Sequence, residues 1–359
     1  MDKKAFIENA VGGLRNINRR RLIKKANEHR FSMLEQQGIE LKKLTDKQKK
    51  EVDAVYKKYG VPYKYITHQL VYSVTGEFDP YIVPEDFFRV CIDPVLCEYD
   101  LKHFLSDKNY FNLFMPDTAF PKTIVRNIRG NFYNEEFRLI SKNDAKKKIQ
   151  EYDSVVVKPS YDSGSGKSVE LIDSEKVDNI FDRKKDYVVQ QVLKQHSSFA
   201  KLNESSVNVV RIVTLFINNK VRVVTSAMRV GGVGDFTDNV EHKDGSGMTV
   251  IGIEDGKLKK LGYHSNGSRV TETPGGVKFE GYEVVNYDKM VQTAVREHEK
   301  FPQIGVIGWD ITLDSDGNVV VMEYNIKSPG VIYYQYVNGP LFGTSTKELL
   351  DYIYKNKKK

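Results

Sequence analysis

Residues 308–325 have the sequence GWDITLDSDGNVVVMEYN, in which Asp316-Gly317 separates two runs rich in β-branched residues. An Asp-Gly pair between two such runs is the strongest short signal for a β-hairpin. If Asp316-Gly317 forms the two-residue loop, counting outward along both strands places Asp310 opposite Glu323. The stretch therefore predicts a hairpin with two carboxylates facing each other across neighbouring strands.

A facing pair of acids in a sheet needs a compensating cation. Such residues place their Cβ atoms roughly 4.5–5.5 Å apart, and like charges at that distance destabilise a sheet. Asn325 lies two residues beyond Glu323, so it projects from the same face and offers a third oxygen. Hard oxygen donors suit Mg²⁺, with Mn²⁺ as an alternative. We predict that Asp310, Glu323 and Asn325 bind a metal; the alternative is an ordinary hairpin with two exposed acids.

A second motif lies at residues 155–172, which have the sequence VVVKPSYDSGSGKSVELI. It is not a Walker A loop, because Tyr161 stands where that pattern needs its first glycine and a strand-like run follows where it needs a helix. A flexible glycine/serine loop between two strands remains. Its backbone N–H groups can bind phosphates, with Lys158 supplying a positive charge, although a plain hairpin loop is the alternative.

The rest of the chain shows a change from helical to strand-like sequence. Residues 1–60 are predicted to be helical, with a capping box from Thr45 to Gln48. Residues 61–105 are rich in Tyr, Pro and Phe, which favours extended segments and turns in a small connecting lobe. Helices are predicted at about 142–151, at about 287–300 and at the C-terminus, where Ser345 and Glu348 cap the last one. The predicted strands are 155–157, 168–172, 187–192, 209–216, 221–230, 308–313 and 319–324.

Composition limits the class of protein. With 359 residues and 40% hydrophobic content, the chain can bury a sizeable core, which excludes overall disorder. Cys91 and Cys97 make no disulfide framework, and no cysteine/histidine cluster has zinc-site spacing. No run approaches the roughly 20 apolar residues of a spanning helix, and the N-terminus does not have the pattern of a signal peptide. We expect a soluble, cytoplasmic protein.

The positive charge is concentrated at the N-terminus. Residues 1–60 contain 16 Lys/Arg and 8 Asp/Glu, whereas the whole chain has a formal net charge of only +7. The remainder is nearly neutral, which argues against a nucleic-acid surface there. For this basic arm, which includes Arg19-Arg20-Arg21, a solvated helix face is favoured, and contact with an anionic membrane surface is the alternative.

The motifs, taken in chain order, resemble those of the ATP-grasp superfamily, and within it the sugar-transfer-associated ATP-grasp group, over roughly residues 60–345. The matching segments are Ser106-Asp107-Lys108, Val157-Lys158-Pro159, 189–193, 207–214, 227–231, Gly308-Trp309-Asp310 and Glu323-Tyr324-Asn325. The resemblance implies an α+β fold in which two lobes clamp ATP. It gives an ATP-grasp domain at 106–345, after a helical segment at 1–60 and a connecting lobe at 61–105, with a C-terminal helix and basic tail at 346–359.

The resemblance also implies residue roles in ATP binding. Lys108 and Lys158 would hold phosphates, and the loop residues Ser163, Gly164, Ser165 and Gly166 would cover them. The backbone of Gln191 and Leu193 would contact the adenine, with Gln190, where many members have glutamate, as a side-chain partner. His196 would reach the ribose. The candidate catalytic residues are Arg211 and Arg229, which would hold the γ-phosphate and the tetrahedral intermediate; the alternative for either arginine is an exposed charge or an ion-pair member.

ATP-grasp enzymes mostly phosphorylate a carboxylate to an acyl phosphate, which an amine then attacks. The resemblance therefore implies an ATP-dependent carboxylate–amine ligase releasing ADP and phosphate, with small-molecule, sugar-linked carboxylate and amine substrates. A sugar acid or amino acid in surface-polysaccharide biosynthesis follows from the group's name. The glycine-rich segment 231–247 is either a mobile loop over the substrate or a polar surface loop. Two alternatives stay open: a phosphotransferase acting on a hydroxyl, and a non-catalytic module that binds through the basic arm.

Overall fold

The computed structural model describes residues 3–59, 63–97, 99–161, 168–242, 247–327 and 329–356. Within these residues the strands form two antiparallel sheets. The first has the order β3-β2-β1-β6-β4-β5 and consists of β1 (Thr123–Ile128), β2 (Asn131–Tyr133), β3 (Leu139–Ile140), β4 (Ser154–Pro159), β5 (Glu170–Asp173) and β6 (Tyr187–Gln191). The second has the order β11-β10-β9-β8-β7-β12-β13 and consists of β7 (Val209–Ile217), β8 (Lys220–Val230), β9 (Thr249–Glu254), β10 (Lys257–His264), β11 (Arg269–Val270), β12 (Val306–Leu313) and β13 (Val319–Asn325).

Helices cover the sheets and form most of the first hundred described residues. They are α1 (Lys3–Gln36), α2 (Asp46–Tyr56), α3 (Ile66–Thr75), α4 (Glu85–Phe87), α5 (Asp93–Leu96), α6 (Tyr99–Leu105), α7 (Phe111–Phe114), α8 (Lys142–Ile149), α9 (Asp178–Phe181), α10 (Ser197–Ala200), α11 (Tyr287–His298), α12 (Ile332–Asn338) and α13 (Thr346–Asn356). A single π-helical turn, Phe88–Ile92, links α4 to α5. The predicted α+β class is confirmed.

Local signals in the sequence account for several element ends. The capping box of α2 is present: the Gln48 N–H donates to Thr45 Oγ1 (3.2 Å) and the Thr45 N–H donates to Gln48 Oε1 (2.9 Å). Asn218 and Asn219 join β7 to β8 with φ angles of 51° and 56°, which is the geometry of a type I′ hairpin turn. Glu348 does not complete the predicted cap of α13; its carboxylate accepts from Arg222 at 2.7 and 2.8 Å.

One expectation about secondary structure was wrong, and two strands were not predicted. The region 61–105 is largely helical, because its aromatic side chains pack in the core, as Phe87 does against Tyr56 with ring centroids 5.2 Å apart. Such packing overrides a local preference for extended structure. The strands that were not predicted are β9 and β10, which are joined by a turn at Asp255-Gly256 with φ angles of 48° and 74°. This turn carries the same Asp-Gly signal that identified the later hairpin.

Two hydrophobic cores underlie the two sheets. The smaller lies beneath the first sheet and includes Val157 and Ile149. The larger one extends from Leu34 in α1 to Ile353 in α13 and contains the buried face of the second sheet. The N-terminal helices therefore share a core with the second sheet, whereas the first sheet packs against a separate core.

Candidate active site

The hairpin of β12 and β13 places Asp310 directly opposite Glu323, as predicted. In the same ladder Gly308 pairs with Asn325, and the Asn325 side chain lies on the same face as Asp310, since its Nδ2 donates to Asp310 Oδ2 at 3.0 Å. Oxygen-bearing side chains from both strands thus meet at one point of the second sheet.

The turn of this hairpin differs from the predicted two-residue loop. Leu313 pairs with Val319, and the Asp314 N–H donates to Asn318 O at 3.0 Å, so the loop is longer by one residue. A bulge at Met322 then shifts the register back by one residue before Glu323. The facing acids were predicted correctly because these two departures from a regular hairpin cancel.

Asp310 is bound by both candidate catalytic arginines. Arg211 donates Nε to Oδ1 at 2.5 Å and Nη2 to Oδ2 at 2.9 Å, and Arg229 Nη2 lies 3.2 Å from Oδ2. Asp310 is only 5% exposed. Burial alone would raise the pKa of this carboxyl group, but the charges of Arg211 and Arg229 hold it below its ordinary value. Both arginines are therefore members of a buried ion-pair cluster and not exposed charges.

Asp238 is a member of this cluster that the sequence did not identify. Its Oδ2 accepts from Arg229 Nε at 2.6 Å, so Arg229 bridges Asp238 and Asp310. Asp238 lies in the segment 231–247, whose glycines and acids suggested a loop over substrate. Residues 243–246 lie outside the described part. Nothing in the local pattern distinguishes Asp238 from the other acids of this segment, because its partner comes from a neighbouring strand.

Two lysines converge on the other acid of the hairpin. Lys108 is buried, and its Nζ lies 2.9 Å from Glu323 Oε1. Its N–H donates to Ser160 O at 3.0 Å, which holds it beside the end of β4, where Lys158 lies. Burial and the nearby charge of Lys108 lower the pKa of Lys158 to about 8, although Glu323 acts in the opposite direction. Both lysines predicted to hold phosphates are brought together at Glu323.

A narrow cavity of about 80 Å³ separates the two sheets at this point. One wall comes from the first sheet and the segment after it, and the other comes from β12, β13 and the segment that contains Asp238. The predicted site residues that line it are Lys108, Lys158, Gln190, Gln191, Leu193, Arg229, Asp310 and Glu323. Met322, the bulged residue of β13, lines it as well. The structure thus brings residues from both sheets together in one cleft.

The predicted adenine, ribose and loop residues differ in their surroundings. Gln190 Nε2 donates to Pro121 O at 3.1 Å. The Gln191 N–H donates to Lys122 O at 2.8 Å, so a backbone contact of Gln191 with a base would use its carbonyl. His196 caps α10 by accepting from the Ser198 N–H at 3.2 Å, and it is not among the described residues lining the cleft. Ser163, Gly164, Ser165 and Gly166 lie outside the described residues.

A larger cavity of about 550 Å³ adjoins the narrow one. The two share the described lining residues Lys108, Arg229, Asn239, Asp310 and Glu323. The larger cavity extends toward the N-terminal helices and the segment after β13, where its walls include Ala26, His29, Arg30, Met33, Glu85, Arg89, Lys327, Tyr333 and Tyr334. Contributions from α1 and α4 were not predicted, since those residues are far from the motifs in sequence. The shared acids and cations mark the junction between the two cavities.

The donor set at this junction fits a divalent metal ion. Asp310, Glu323 and Asn325 offer two facing carboxylates and an amide, which is the hard-oxygen chemistry that Mg²⁺ prefers. In this structure the acid charges are balanced instead by Lys108, Arg211 and Arg229. In the described part of the chain, no group of three or more His, Cys, Asp or Glu side chains could hold a metal, so the amide of Asn325 is needed to complete the set.

Comparison with known proteins gives a family match for the C-terminal half. Residues 174–349 match the family model described as sugar-transfer associated ATP-grasp, which confirms the resemblance seen in the sequence. No curated protein matches the chain. Among the described residues, no helix is long and apolar enough to cross a membrane.

Several solved structures are similar to the chain at low identity. The ATP-grasp ligase PsnB with a minimal precursor shares 14% identity at a TM-score of 0.41, covering 70% of this chain and 62% of PsnB. The VanG D-Ala:D-Ser ligase from Enterococcus faecalis shares 12% identity at a TM-score of 0.40, covering 74% of this chain and 63% of that ligase. The D-alanyl-alanine synthetase A from Vibrio cholerae shares 12% identity at a TM-score of 0.41, covering 69% of this chain and 62% of that synthetase. The chain thus spans less than two thirds of the length of these proteins.

Proposed function

Because residues 174–349 match the family model described as sugar-transfer associated ATP-grasp, we propose that this protein is an ATP-dependent ligase that joins a carboxylate to an amine. One observation carries the proposal beyond the family match. The narrow cleft between the sheets and the larger cavity beside it meet at Lys108, Arg229, Asp310 and Glu323. A nucleotide in the cleft and an acceptor in the larger cavity would therefore meet at a cluster of acids and cations.

The chemistry that suits this junction is phosphoryl transfer followed by amide formation. A carboxylate oxygen of the acceptor attacks the γ-phosphorus, the bond to the β-phosphate oxygen breaks, and ADP leaves. The amine then attacks the acyl carbon of the resulting acyl phosphate, loses a proton, and expels inorganic phosphate. Catalysis of such steps depends mainly on positioning and on stabilising negative charge. Lys108, Lys158, Arg211 and Arg229 supply four positive charges for that purpose.

A metal ion would be held by Asp310, Glu323 and Asn325. When bound, Mg²⁺ or Mn²⁺ would neutralise oxygens of the transferred phosphate and its neighbour. Lys108, Arg211 and Arg229, which pair with these acids in this structure, are the cations that would hold the acceptor carboxylate and the developing negative charge.

The acceptor class is proposed from the family description and the cavity. The words sugar-transfer associated support a sugar acid or amino acid used in surface-polysaccharide biosynthesis. A cavity of about 550 Å³ lined by polar and charged side chains is compatible with either. The basic arm does not favour the non-catalytic alternative, because Arg30 of α1 faces this cavity.

The decisive experiment supplies purified protein with Mg-ATP and pools of carboxylic acids and amines, and measures ADP, AMP and phosphate. We expect ADP formation that depends on both an acid and an amine, and capture of the acyl phosphate by hydroxylamine as a hydroxamate. Formation of AMP and pyrophosphate would contradict the proposal. A stable phosphorylated product formed without any amine would instead identify a phosphotransferase.

Asp316→Asn is the matched control variant for this experiment, because Asp316 is an exposed acid in the turn of the same hairpin. It should turn over ATP like the unmodified protein.

A further inference from the structure

One uncharged side chain lies where the two cavities meet. The described residues common to both linings are Lys108, Arg229, Asn239, Asp310 and Glu323. The four charged ones are paired with one another, Lys108 with Glu323 at 2.9 Å and Arg229 with Asp310 at 3.2 Å. Asn239 thus offers a neutral amide at the junction where the proposed chemistry takes place.

The side-chain oxygen of this amide has no hydrogen-bond partner within the described residues. Asn239 Oδ1 is buried, and no donor from the described part of the chain reaches it. Buried polar side-chain atoms are normally hydrogen-bonded, and leaving one unpaired costs free energy. Local departures of this kind from a well-satisfied structure are expected where a protein binds its ligands.

The residues beside Asn239 hold its segment in place. Asp238 Oδ2 accepts from Arg229 Nε at 2.6 Å, and Glu241 Oε1 accepts from Tyr333 Oη at 2.8 Å. These two side chains attach the segment to β8 and to α12. The backbone of Asn239 is therefore positioned from both sides, while its own side chain lines both cavities.

The chemistry of the unpaired oxygen selects its ligand. An amide oxygen accepts hydrogen bonds, so the bound group must carry an N–H or O–H. An ionised carboxylate and the transferred phosphate carry neither, and Lys108 and Arg229 are the groups at the junction that suit them. The attacking amine does carry N–H groups. Nearby positive charges disfavour its protonated form, so an amine held here by a neutral oxygen stays nucleophilic.

We propose that Asn239 binds the amine substrate by accepting an N–H hydrogen bond on Oδ1, which aims the amine nitrogen at the acyl carbon. The inference rests on the proposed function, because it takes the junction to be the place where the acyl phosphate forms. The nitrogen forms a bond to the acyl carbon, the bond from that carbon to the phosphate oxygen breaks, and inorganic phosphate leaves. The proton that the nitrogen loses passes to the leaving phosphate, because an amide oxygen is too weak a base to take it.

The test uses hydroxylamine as the amine, with the full-length protein, saturating Mg-ATP and the pool of carboxylic acids. Hydroxamate formation is measured as a function of the hydroxylamine concentration. Asn239→Leu has a side chain of similar size without an acceptor, so it should raise the KM for hydroxylamine by about fivefold, the effect of losing one hydrogen bond. The KM for ATP should stay the same. The melting temperature should not fall, because the oxygen removed has no partner in the described fold.

Three further variants separate this role from a structural one. Asn239→Ala removes the acceptor without adding bulk and should raise the KM for hydroxylamine as Asn239→Leu does. Asn239→Asp keeps an oxygen acceptor in the same place, so it should keep this KM within about twofold of the unmodified protein. Asn131→Leu makes the matched change at an exposed asparagine of β2 and should leave every parameter unchanged.

Three outcomes would overturn the proposal. These are an unchanged KM for hydroxylamine in both Asn239→Leu and Asn239→Ala, a rise of the same size in Asn239→Asp, or a rise confined to the KM for ATP. If the unmodified protein forms neither hydroxamate nor acid-dependent ADP, the proposed function itself is contradicted, and this inference falls with it. The reaction of the unmodified protein therefore distinguishes the two kinds of failure.

Discussion

Asp310 and Glu323 face each other, yet their surroundings differ. The Asp310 side chain is 7% exposed and compensates two buried guanidinium groups, whereas Glu323 is 29% exposed and pairs with Lys108. Removing one partner of a buried ion pair leaves an uncompensated charge in a poorly solvated place. Neutralising Glu323 should therefore disturb the fold less than neutralising Asp310.

We predict that Asp310→Asn and Glu323→Gln both abolish ATP turnover but differ in stability. Asp310→Asn should lower the free energy of unfolding by about 3–5 kcal/mol, because Arg211 and Arg229 lose their shared carboxylate. Glu323→Gln should lower the free energy of unfolding by clearly less, because the Glu323 side chain is accessible to water. Urea titrations and ADP release measure the two effects, and equal destabilisation by both variants would contradict the environment described here.

Lys158 gives the site a pH dependence. Burial, aided by the charge of Lys108, lowers the pKa of Lys158 to about 8, so in the free protein near that pH only about half of the molecules carry this charge. A bound polyphosphate favours the protonated form and raises the pKa. Nucleotide binding should therefore take up a proton, and affinity should fall as the pH rises above 8.

The prediction is an uptake of about half a proton per nucleotide at pH 8, and a dissociation constant that rises toward tenfold per pH unit above it. Calorimetry in two buffers of different ionisation enthalpy measures the uptake. Lys158→Met should abolish it, whereas Lys122→Met, which changes an exposed lysine nearby, should leave it intact. Proton release, or an uptake that survives Lys158→Met, would show that another group titrates.

At the scale of single elements, α1 is joined to the core near its C-terminal end. Leu34 is 1% exposed and belongs to the larger core, whereas Leu22 on the same helix is 67% exposed. We predict that Leu34→Ala lowers the free energy of unfolding by about 2–5 kcal/mol, as for other fully buried leucines. Leu22→Ala should change it by no more than about 0.5 kcal/mol. Chemical denaturation of both variants checks this, and a neutral Leu34→Ala would mean that α1 does not dock as described.

The hairpin of β12 and β13 shows how far the sequence could predict an element. Period-two alternation and an Asp-Gly turn predicted the hairpin, but Asp310 lies opposite Glu323 only because a longer loop and a bulge offset each other. The longer loop and the bulge at Met322 were not predictable, because a bulge depends on how the strand packs against its neighbours and not on its own residues. The strands β4, β6, β7 and β8 were likewise predicted from local pattern, since each is a run of β-branched residues.

What the sequence did not reveal comes from contacts made by the tertiary fold. Arg30 and Glu85 are 55 residues apart, and Asp238 meets Arg229 only because the chain leaves β8 and folds back. No local pattern marks such partners. The same holds for the region 61–105, where aromatic packing against later elements decides the helical structure.

At the scale of the whole molecule, the two separate cores predict two unfolding transitions. A cooperative unit is defined by the contacts it shares, and the first sheet has its own hydrophobic cluster. Ile149 in α8 and Ile353 in α13 are matched fully buried isoleucines, one in each core. In scanning calorimetry, Ile149→Ala should lower the midpoint temperature of one transition, and Ile353→Ala should lower that of the other, each by several degrees.

If the proposed function is correct, ATP should bring the midpoint temperatures of these transitions closer together, because it would bind residues of both sheets and stabilise whichever lobe unfolds first. A single transition that both variants lower equally would show that the lobes unfold as one unit.

The larger core also has a consequence for how the chain folds during synthesis. Lys58 and Tyr59, just beyond α2, contact Asp351 in α13, almost 300 residues later, with Tyr59 Oη 3.1 Å from the Asp351 carboxylate. The first sheet, by contrast, is built entirely from residues 123–191 and can form as soon as that stretch leaves the ribosome. The N-terminal helices must wait for nearly the whole chain to be translated. During that interval the side chains of these helices that belong to the larger core, such as Leu34 and Val52, stay exposed in the nascent chain.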